Sequence, residues 1–335
     1  GPGDREEAHR GLRVGGARIV SREPAYECDL HTHTLRSDGN DSYLELIERA
    51  AALGMKAIAI TDHDVAPALS VERDGKAVSP VEYARDRGLC LLLGAEYSCD
   101  TDVDDVHIVA LGCEWGHEGL RREEERMRRS KIDGYRRLTR LLSERGFPLS
   151  WDEVLENGGH PLPESEIQRK HIFEAMARKK YAPTWREAKL LVRGDAELNL
   201  RREKTDPREA IRLIHEAGGV AILAHPFLID PVVVKAGGSA TRAEYIASLV
   251  RAGLDGIEAS YTYDKTSYEG KRSPEELERE IRQEYDGHVQ IISGGSDYHA
   301  DAKKGIANPR RIGERGVAWE YFRRHPLLAR IGGLA

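Results

Sequence analysis

The sequence predicts an α/β fold in which seven strand–helix units can close into a barrel, with a helical insertion between the fourth and fifth strands. Three observations predict it. Short apolar runs rich in Val, Ile and Leu recur, as fully buried parallel strands do; they end near Leu30, Ile60, Gly94, Ile108, Leu223, Glu258 and Ser293. Amphipathic segments with cap signals follow several of these runs. From about Cys113 to Thr205 the strand signal stops and charged helical segments replace it.

Residues 1–24 read as an N-terminal extension, with a hairpin signal at Gly15-Gly16; Gly1-Pro2 resembles a cloning scar and is set aside. Residues 25–335 read as the barrel domain, interrupted by the insertion at about 114–205. Ser79-Pro80, Asp206-Pro207 and Ser273-Pro274 each place a capping side chain before a Pro at the first helical position. Glu209 and Glu276 follow the last two caps at capping-box spacing. Gly54 and Gly218 stand where helices should stop. In the insertion, Arg121 to Glu144 is a mixed-charge helix, best read as a solvated face with i,i+4 pairs rather than a nucleic-acid patch. A Gly/Pro-rich patch from Asn157 to Pro163 follows, and the whole reads as a cap over the barrel mouth.

Composition bounds the function. With 335 residues, 40% of them hydrophobic, the chain can build a sizeable core as one barrel. The net charge of −6 argues against long nucleic acid, which needs a broad basic surface, but permits a short anionic substrate in a locally positive site. Cys28, Cys90, Cys99 and Cys113 form no CxxC pair and no disulfide framework, so a reduced compartment is expected. No apolar run reaches about 18 residues, and no secretory signal is visible; the expected location is the cytoplasm, without a membrane span.

The chemistry stands at the strand ends. The first strand ends in His31-Thr32-His33, followed by Ser37-Asp38-Gly39. The second ends in Thr61-Asp62-His63-Asp64 and the third in Gly94-Ala95-Glu96. The fourth contains His107, the fifth ends in Ala224-His225-Pro226, and the seventh in Asp297-Tyr298-His299. The sixth offers only Glu258, read as a supporting or structural group. Six of the thirteen histidines therefore fall where barrel enzymes build their active sites. A lone strand-end His is usually structural, and Asp38, Asp62 or Asp64 alone could serve a turn or cap. Burying so many imidazoles and carboxylates together without ions would leave polar groups unpaired, which is costly.

Residues two apart on a strand share a face, so His31 and His33 can grip one ion, as can Asp297 and His299. Glu96 can bridge two ions through its two oxygens. A donor set of nitrogen and oxygen without thiolate suits Mn²⁺, Fe²⁺ or Zn²⁺. Such clusters, with ions about 4 Å apart, hydrolyse phosphate esters through a metal-held hydroxide. Asp62 can act as the acid for the leaving group or can orient the His63 ring. No Walker loop, GxSxG elbow or Rossmann fingerprint supports a rival chemistry.

In order, HTHTLRSDG, TDHDV, the GAE turn, VHI, AHP and GGSDYH resemble the PHP family, named for polymerase and histidinol phosphatase. The resemblance covers roughly residues 27 to 115 and 165 to 305, and is closer to the stand-alone phosphoesterase branch with a helical insertion. It implies a distorted seven-stranded barrel with three divalent metals. His31, His33, Glu96 and Asp297 would hold the first, Asp38, His63 and His299 the second, and Glu96, His107 and His225 the third. Branch members often carry Arg-Pro-His in the insertion, where this chain has Arg169-Lys170-His171. The resemblance gives Arg169 and His171 contact with the substrate phosphate, and makes His171 a second candidate acid. Lys170 replaces the Pro. Where the family often has a His after the sixth strand, Tyr261-Thr262-Tyr263 stands, followed by Lys265 and Arg272. Lys170 and Tyr261 are thus further candidate substrate contacts, whereas Lys303 and Lys304 read as solvated.

These readings point to a hydrolase of a small phosphorylated metabolite: a phosphosugar or nucleotide, as monoester or cyclic diester such as a phosphoribosyl cyclic phosphate. The alternatives are a nucleoside 3',5'-bisphosphate phosphatase or 5'–3' exonuclease on short oligonucleotides, and a non-catalytic regulatory protein.

Overall fold

The apolar runs become the strands of one sheet. In the computed structural model, which describes residues 23–334, the strands are β1 (Cys28–Thr32), β2 (Ala57–His63), β3 (Val71–Arg73), β4 (Lys76–Val78), β5 (Cys90–Ser98), β6 (His107–Leu111), β7 (Val220–Leu223), β8 (Val232–Lys235), β9 (Gly238–Thr241), β10 (Gly256–Ser260) and β11 (Ile291–Gly294). The proposed extension and its Gly15-Gly16 hairpin lie almost wholly outside the described residues.

The seven-stranded sheet runs β1-β2-β5-β6-β7-β10-β11 and curls into a nearly closed barrel. The chain past β11 returns to β1, where Thr32 bridges Tyr298 and the His33 amide donates to the Tyr298 carbonyl at 2.8 Å. The approach is close: a Cβ on Gly295 would stand 2.3 Å from the His31 Cβ, so only glycine fits there. The α/β barrel expected from the strand–helix rhythm is therefore present.

The strands are not all parallel. β6 pairs antiparallel with both β5 and β7. The reason is loop length: residues 99–106 are too few for the crossover that a parallel partner needs, about a dozen or more residues. The expected strand end near Ile108 is in fact a strand start. Reversal puts the first residue of β6, His107, at the rim where the other strands finish. Two short hairpins, β3–β4 and β8–β9, also escaped the apolar pattern. β1 and β10 each carry one extra residue against their neighbours, between Asp29 and Thr32 and between Glu258 and Ser260. Such irregularities re-aim side chains, and here they occur beside His31 and Glu258.

The barrel is flanked by α1 (Tyr43–Ala52), α2 (Pro80–Arg85), α7 (Pro207–Glu216), α8 (Arg242–Arg251), α9 (Pro274–Tyr285), α10 (Trp319–Arg324) and α11 (Pro326–Ile331). Ser79, Asp206 and Ser273 cap α2, α7 and α9 through their side chains, and Ser273 completes a capping box with Glu276. Between β6 and β7 stand α3 (Glu118–Glu144), α4 (Trp151–Glu156), α5 (Arg169–Arg178) and α6 (Trp185–Gly194). These four helices bury their own apolar cluster, including Leu138, Leu142, Ile172, Phe173, Met176 and Val192. A separate cluster of Leu30, Ala59, Leu92, Val109, Ile222 and Ile291 packs between the strands and α10 and α11. The four cysteines are free. No helix among the described residues is long and apolar enough to cross a membrane.

Candidate metal centre

Strand ends and the loops after them bring nine polar side chains to one rim. His31 and His33 leave β1, Asp38 follows in its loop, and His63 closes β2. Glu96 sits near the end of β5, and reversed β6 opens with His107. His225 follows β7 with φ of 27°, and Asp297 precedes His299 with φ of 53°. Non-glycine residues rarely hold such angles, which cost about 1–3 kcal/mol each and cluster at functional sites.

Glu96 is the hub. Its Oε1 lies 2.8 Å from His107 Nδ1 and 3.0 Å from His225 Nε2. Its Oε2 lies 3.0 Å from His31 Nε2, 3.2 Å from His33 Nε2 and 3.3 Å from His63 Nδ1. The two oxygens thus divide five imidazoles between them, as a bridging carboxylate does. Asp297 Oδ1 adds contacts of 3.1 Å to His33 and 3.5 Å to His31. His299 Nε2 lies 3.0 Å from Asp38 Oδ1, and His63 Nε2 lies 3.8 Å from the same oxygen.

Three ligand groups follow from this packing. His31, His33, Glu96 and Asp297 form one; His33, Asp38, His63 and His299 form a second; His63, Glu96 and His107 form a third. In each, the donor atoms lie within 4.8 Å of one another. His225 joins through its contact with Glu96.

The donors fit a cation better than they fit each other. Both His33 ring nitrogens are buried and make no aligned hydrogen bond, although Asp297 and Glu96 oxygens stand 3.1 and 3.2 Å from Nε2. His225 Nδ1 is likewise buried without a partner. Close donors at poor mutual angles are what lone pairs aimed at a shared point produce. Unpaired buried polar atoms are otherwise costly, about 1–3 kcal/mol each. Burial opposes ionisation of Glu96, but His31, His63 and His107 outweigh it and hold the carboxyl well below its ordinary range. Burial likewise opposes protonation of His33, yet Asp297 and Glu96 push its pKa up to about 10. The negative charge that a cation would meet is in place.

A supporting layer fixes the ligands. Glu258 Oε1 stands 3.0 Å from His31 Nδ1. The Tyr261 hydroxyl and the Arg310 guanidinium both donate to Asp297 Oδ2 at 2.8 Å, and Arg310 Nε donates to Asp301 at 2.8 Å. Asp29 takes the Ser296 amide and hydroxyl and the Gly313 amide. Sequence reasoning missed Asp29, Arg310 and Asp301. Only Asp29 carried a signal, as a charged residue inside an apolar strand.

The remaining expected residues fall into two sets. Asp62 is fully buried and accepts the Thr34 amide at 2.8 Å, the Thr34 hydroxyl at 2.7 Å and the Ser37 hydroxyl at 2.6 Å. It thereby holds the loop between His33 and Asp38. Tyr261 is 1% exposed, with its hydroxyl engaged by Asp297. Arg169, Lys170 and His171 open α5 in the helical insertion and are half-buried. Arg169 donates to Asn199 at 3.2 Å, Lys170 lies 5.1 Å from the Trp185 ring, and His171 Nδ1 accepts the Gln168 amide at 2.9 Å. Lys265 pairs with Glu314, and Arg272 with Glu280. Lys303 is bound to Asp41 at 2.6 Å, and Lys304 is exposed.

Residues 29–221, more than half of the chain, match the family model described as the PHP domain. The chain belongs to the PHP family. This PHP protein is 28% identical to the phosphoribosyl 1,2-cyclic phosphate 1,2-diphosphodiesterase of Eggerthella lenta, across 81% of this chain and 93% of that one. It is also 28% identical to the 3',5'-nucleoside bisphosphate phosphatase of Chromobacterium violaceum, across 83% and 88%. Its fold matches a solved Bifidobacterium adolescentis protein described as a candidate metal-dependent phosphoesterase, with TM-score 0.68, 26% identity, and coverage of 92% and 98%. The PHP protein is a metal-dependent phosphoesterase that uses divalent metal ions.

Proposed function

We propose that this PHP protein hydrolyses a phosphate ester on a small metabolite carrying a second phosphate, such as a phosphoribosyl cyclic phosphate or a nucleoside bisphosphate. The observation that carries the reading is Glu96, whose two oxygens separate His107 and His225 from His31, His33 and His63. We assign three divalent ions, of Mn²⁺, Fe²⁺ or Zn²⁺ type, to His31, His33, Glu96 and Asp297; to Asp38, His63 and His299; and to Glu96, His107 and His225. The two relatives support the substrate class, since both are named for phosphorylated ribosyl or nucleoside compounds.

Ions bound there supply Lewis acidity, activating water and neutralising charge on the phosphoryl oxygens. The chain's own groups do the rest. Water adds to phosphorus, the bond from phosphorus to the ester oxygen breaks, and that oxygen leaves as an alcohol by taking up the proton that the attacking water gives up. Arg169 binds the phosphoryl oxygens as their charge grows. His171 has its Nδ1 occupied by the Gln168 amide, so the neutral ring carries its proton on Nε2 and acts as a hydrogen-bond donor to the substrate. Lys170, which stands beside Trp185, is assigned as a further contact for the substrate. Tyr261 and Arg310 keep Asp297 ionised and aimed. Asp62 acts as a positioning residue, because its oxygens are already committed to Thr34 and Ser37.

The test is phosphate release with Mn²⁺ over nucleoside mono- and bisphosphates, phosphosugars and ribose cyclic phosphates. Turnover of a doubly phosphorylated small molecule supports the reading. Turnover confined to oligonucleotides shows an exonuclease instead, and turnover of nothing overturns the assignment.

A further inference from the structure

A cavity of about 100 Å³ lies between the helical insertion and the loop joining β5 to β6. Its wall includes Tyr135, Arg169, Asn199, Arg201, Arg202 and Lys204. Four cations thus surround one small space, and among the described residues Asp104 is the only carboxylate in the wall. Asp104 is engaged at 3.4 Å by Arg201, which is half exposed. Arg202, with its side chain 14% exposed, lines the cavity and is paired with Asp64 at 2.8 Å. Arg169 bonds the neutral Asn199 and lies over the Phe173 ring, with no carboxylate partner among the described residues. Lys204 has no ion-pair partner among the described residues, and neither does Lys131, a 5% exposed neighbour on α3.

Like charges gathered in a partly dry space repel one another, and burying an unpaired charge costs several kcal/mol. Both effects are visible here. Burial, followed by the charge of Arg202, lowers the Lys204 pKa, and burial lowers that of Lys131. A multiply charged anion relieves both costs at once, because arginine forks and an ammonium match phosphate oxygens. Position tells which anion. Asp64, the partner of Arg202, directly follows the ligand His63, and its amide donates to the Glu96 carbonyl at 3.0 Å. Arg202 therefore links this cavity to the metal rim through Asp64.

We infer that this cavity holds the substrate's second, non-scissile phosphate, with Arg202 and Lys204 as its principal partners, Arg201 at its mouth and Arg169 shared with the scissile phosphoryl group. The inference rests on the reading of the protein as a hydrolase of small doubly phosphorylated esters, and adds the site that would select them. The cavity fixes specificity because a singly phosphorylated compound leaves Lys204 without an ionic partner and forgoes that pairing.

The test uses the metal-loaded full chain and the double variant Arg201→Gln/Lys204→Gln, with Lys204→Arg as the conservative control. Arg202 is left intact because it touches Asp64. The first readout is the ratio of kcat/KM for a nucleoside 3',5'-bisphosphate to that for p-nitrophenyl phosphate. The ratio should fall by about ten- to a hundredfold in the double variant, through KM, and recover in Lys204→Arg. An unchanged ratio, with both substrates falling together or neither falling, overturns the inference. The second readout is calorimetry of inorganic phosphate with chelator-treated protein, which does not depend on turnover. Binding should weaken by a similar factor in the double variant, and equal affinity in wild type and variant overturns the inference. If wild type hydrolyses no phosphate ester, the functional reading fails by itself and the calorimetry alone judges the cavity.

Discussion

Glu258 Oε1 stands 3.0 Å from His31 Nδ1, while its Oε2 accepts the His225 amide at 2.8 Å. One carboxylate from β10 therefore fixes a ligand leaving β1 and the backbone of a ligand following β7. The bond to Nδ1 leaves His31 Nε2 directed at Glu96. A carboxylate behind a ligating imidazole sets its tautomer and raises its basicity.

Glu258→Gln keeps the shape and removes the charge. Metal affinity should fall about ten- to a hundredfold. Activity titrated against free Mn²⁺ should shift to higher concentration, with most of the maximal rate recovered at saturation. An unmoved titration midpoint contradicts the orienting role.

Removal of metal should abolish turnover, and added Mn²⁺ should restore it. Stability should fall too, since ions that bind only the folded state stabilise it by about 2.7 kcal/mol at a hundred times their Kd. Differential scanning calorimetry with and without chelator measures this. His33→Ala removes a ring shared by two of the three ligand groups, so it should be inactive even at high Mn²⁺. Normal phosphoesterase activity in that variant would place catalysis elsewhere.

Much of this site is legible in the sequence because buried strands announce themselves as apolar runs. A His or Glu at the end of such a run has one place to go, the rim. The pair His31 and His33 shows this most plainly, since alternation alone puts both on one face. Strand direction is less legible: β6 reads as apolar whichever way it runs, and only the short connection of residues 99–106 betrays its reversal. The hairpins β3–β4 and β8–β9 escape because three or four partly exposed residues carry no usable period. Arg310 escapes for another reason. It lies in a loop, and its bond to Asp297 depends on how that loop folds back, which no local pattern records.

Arg310 clamps Asp297 and Asp301 together, with its side chain only 16% exposed. Arg310→Ala leaves the buried Asp301 without its cation and Asp297 without one of its donors, and should cost about 3 kcal/mol of stability. Burial raises the Asp301 pKa, but the Arg310 hydrogen bond and charge outweigh it and lower the pKa. A carboxyl lowered on folding contributes stability that is present above its unfolded pKa of about 3.9 and is lost as pH falls through the folded value. The gap between wild type and variant in urea denaturation should therefore be widest near neutral pH and narrow towards about pH 3. A gap that widens in acid contradicts the pairing.

His171 should titrate below its ordinary value of 6.5, because burial disfavours its charged form and Lys170 adds to the effect while Glu174 opposes it. Its Nδ1 accepts the Gln168 amide, so protonation must also break the bond that starts α5. A base lowered on folding contributes stability that is present above the unfolded pKa and is lost as pH falls through the folded one. Nitrogen-detected NMR should show the neutral ring protonated on Nε2 at neutral pH, with a midpoint below 6.5. His171→Ala should lower kcat/KM by about ten- to a hundredfold, the loss expected of one hydrogen-bond donor to a charged phosphate. The acid limb of the rate profile should move in the variant, because protonation of Nδ1 in wild type releases the Gln168 amide and loosens the start of α5. A ring that titrates above 6.5, or a variant with unaltered kcat/KM, removes His171 from the substrate's path and leaves it as the cap of α5 alone.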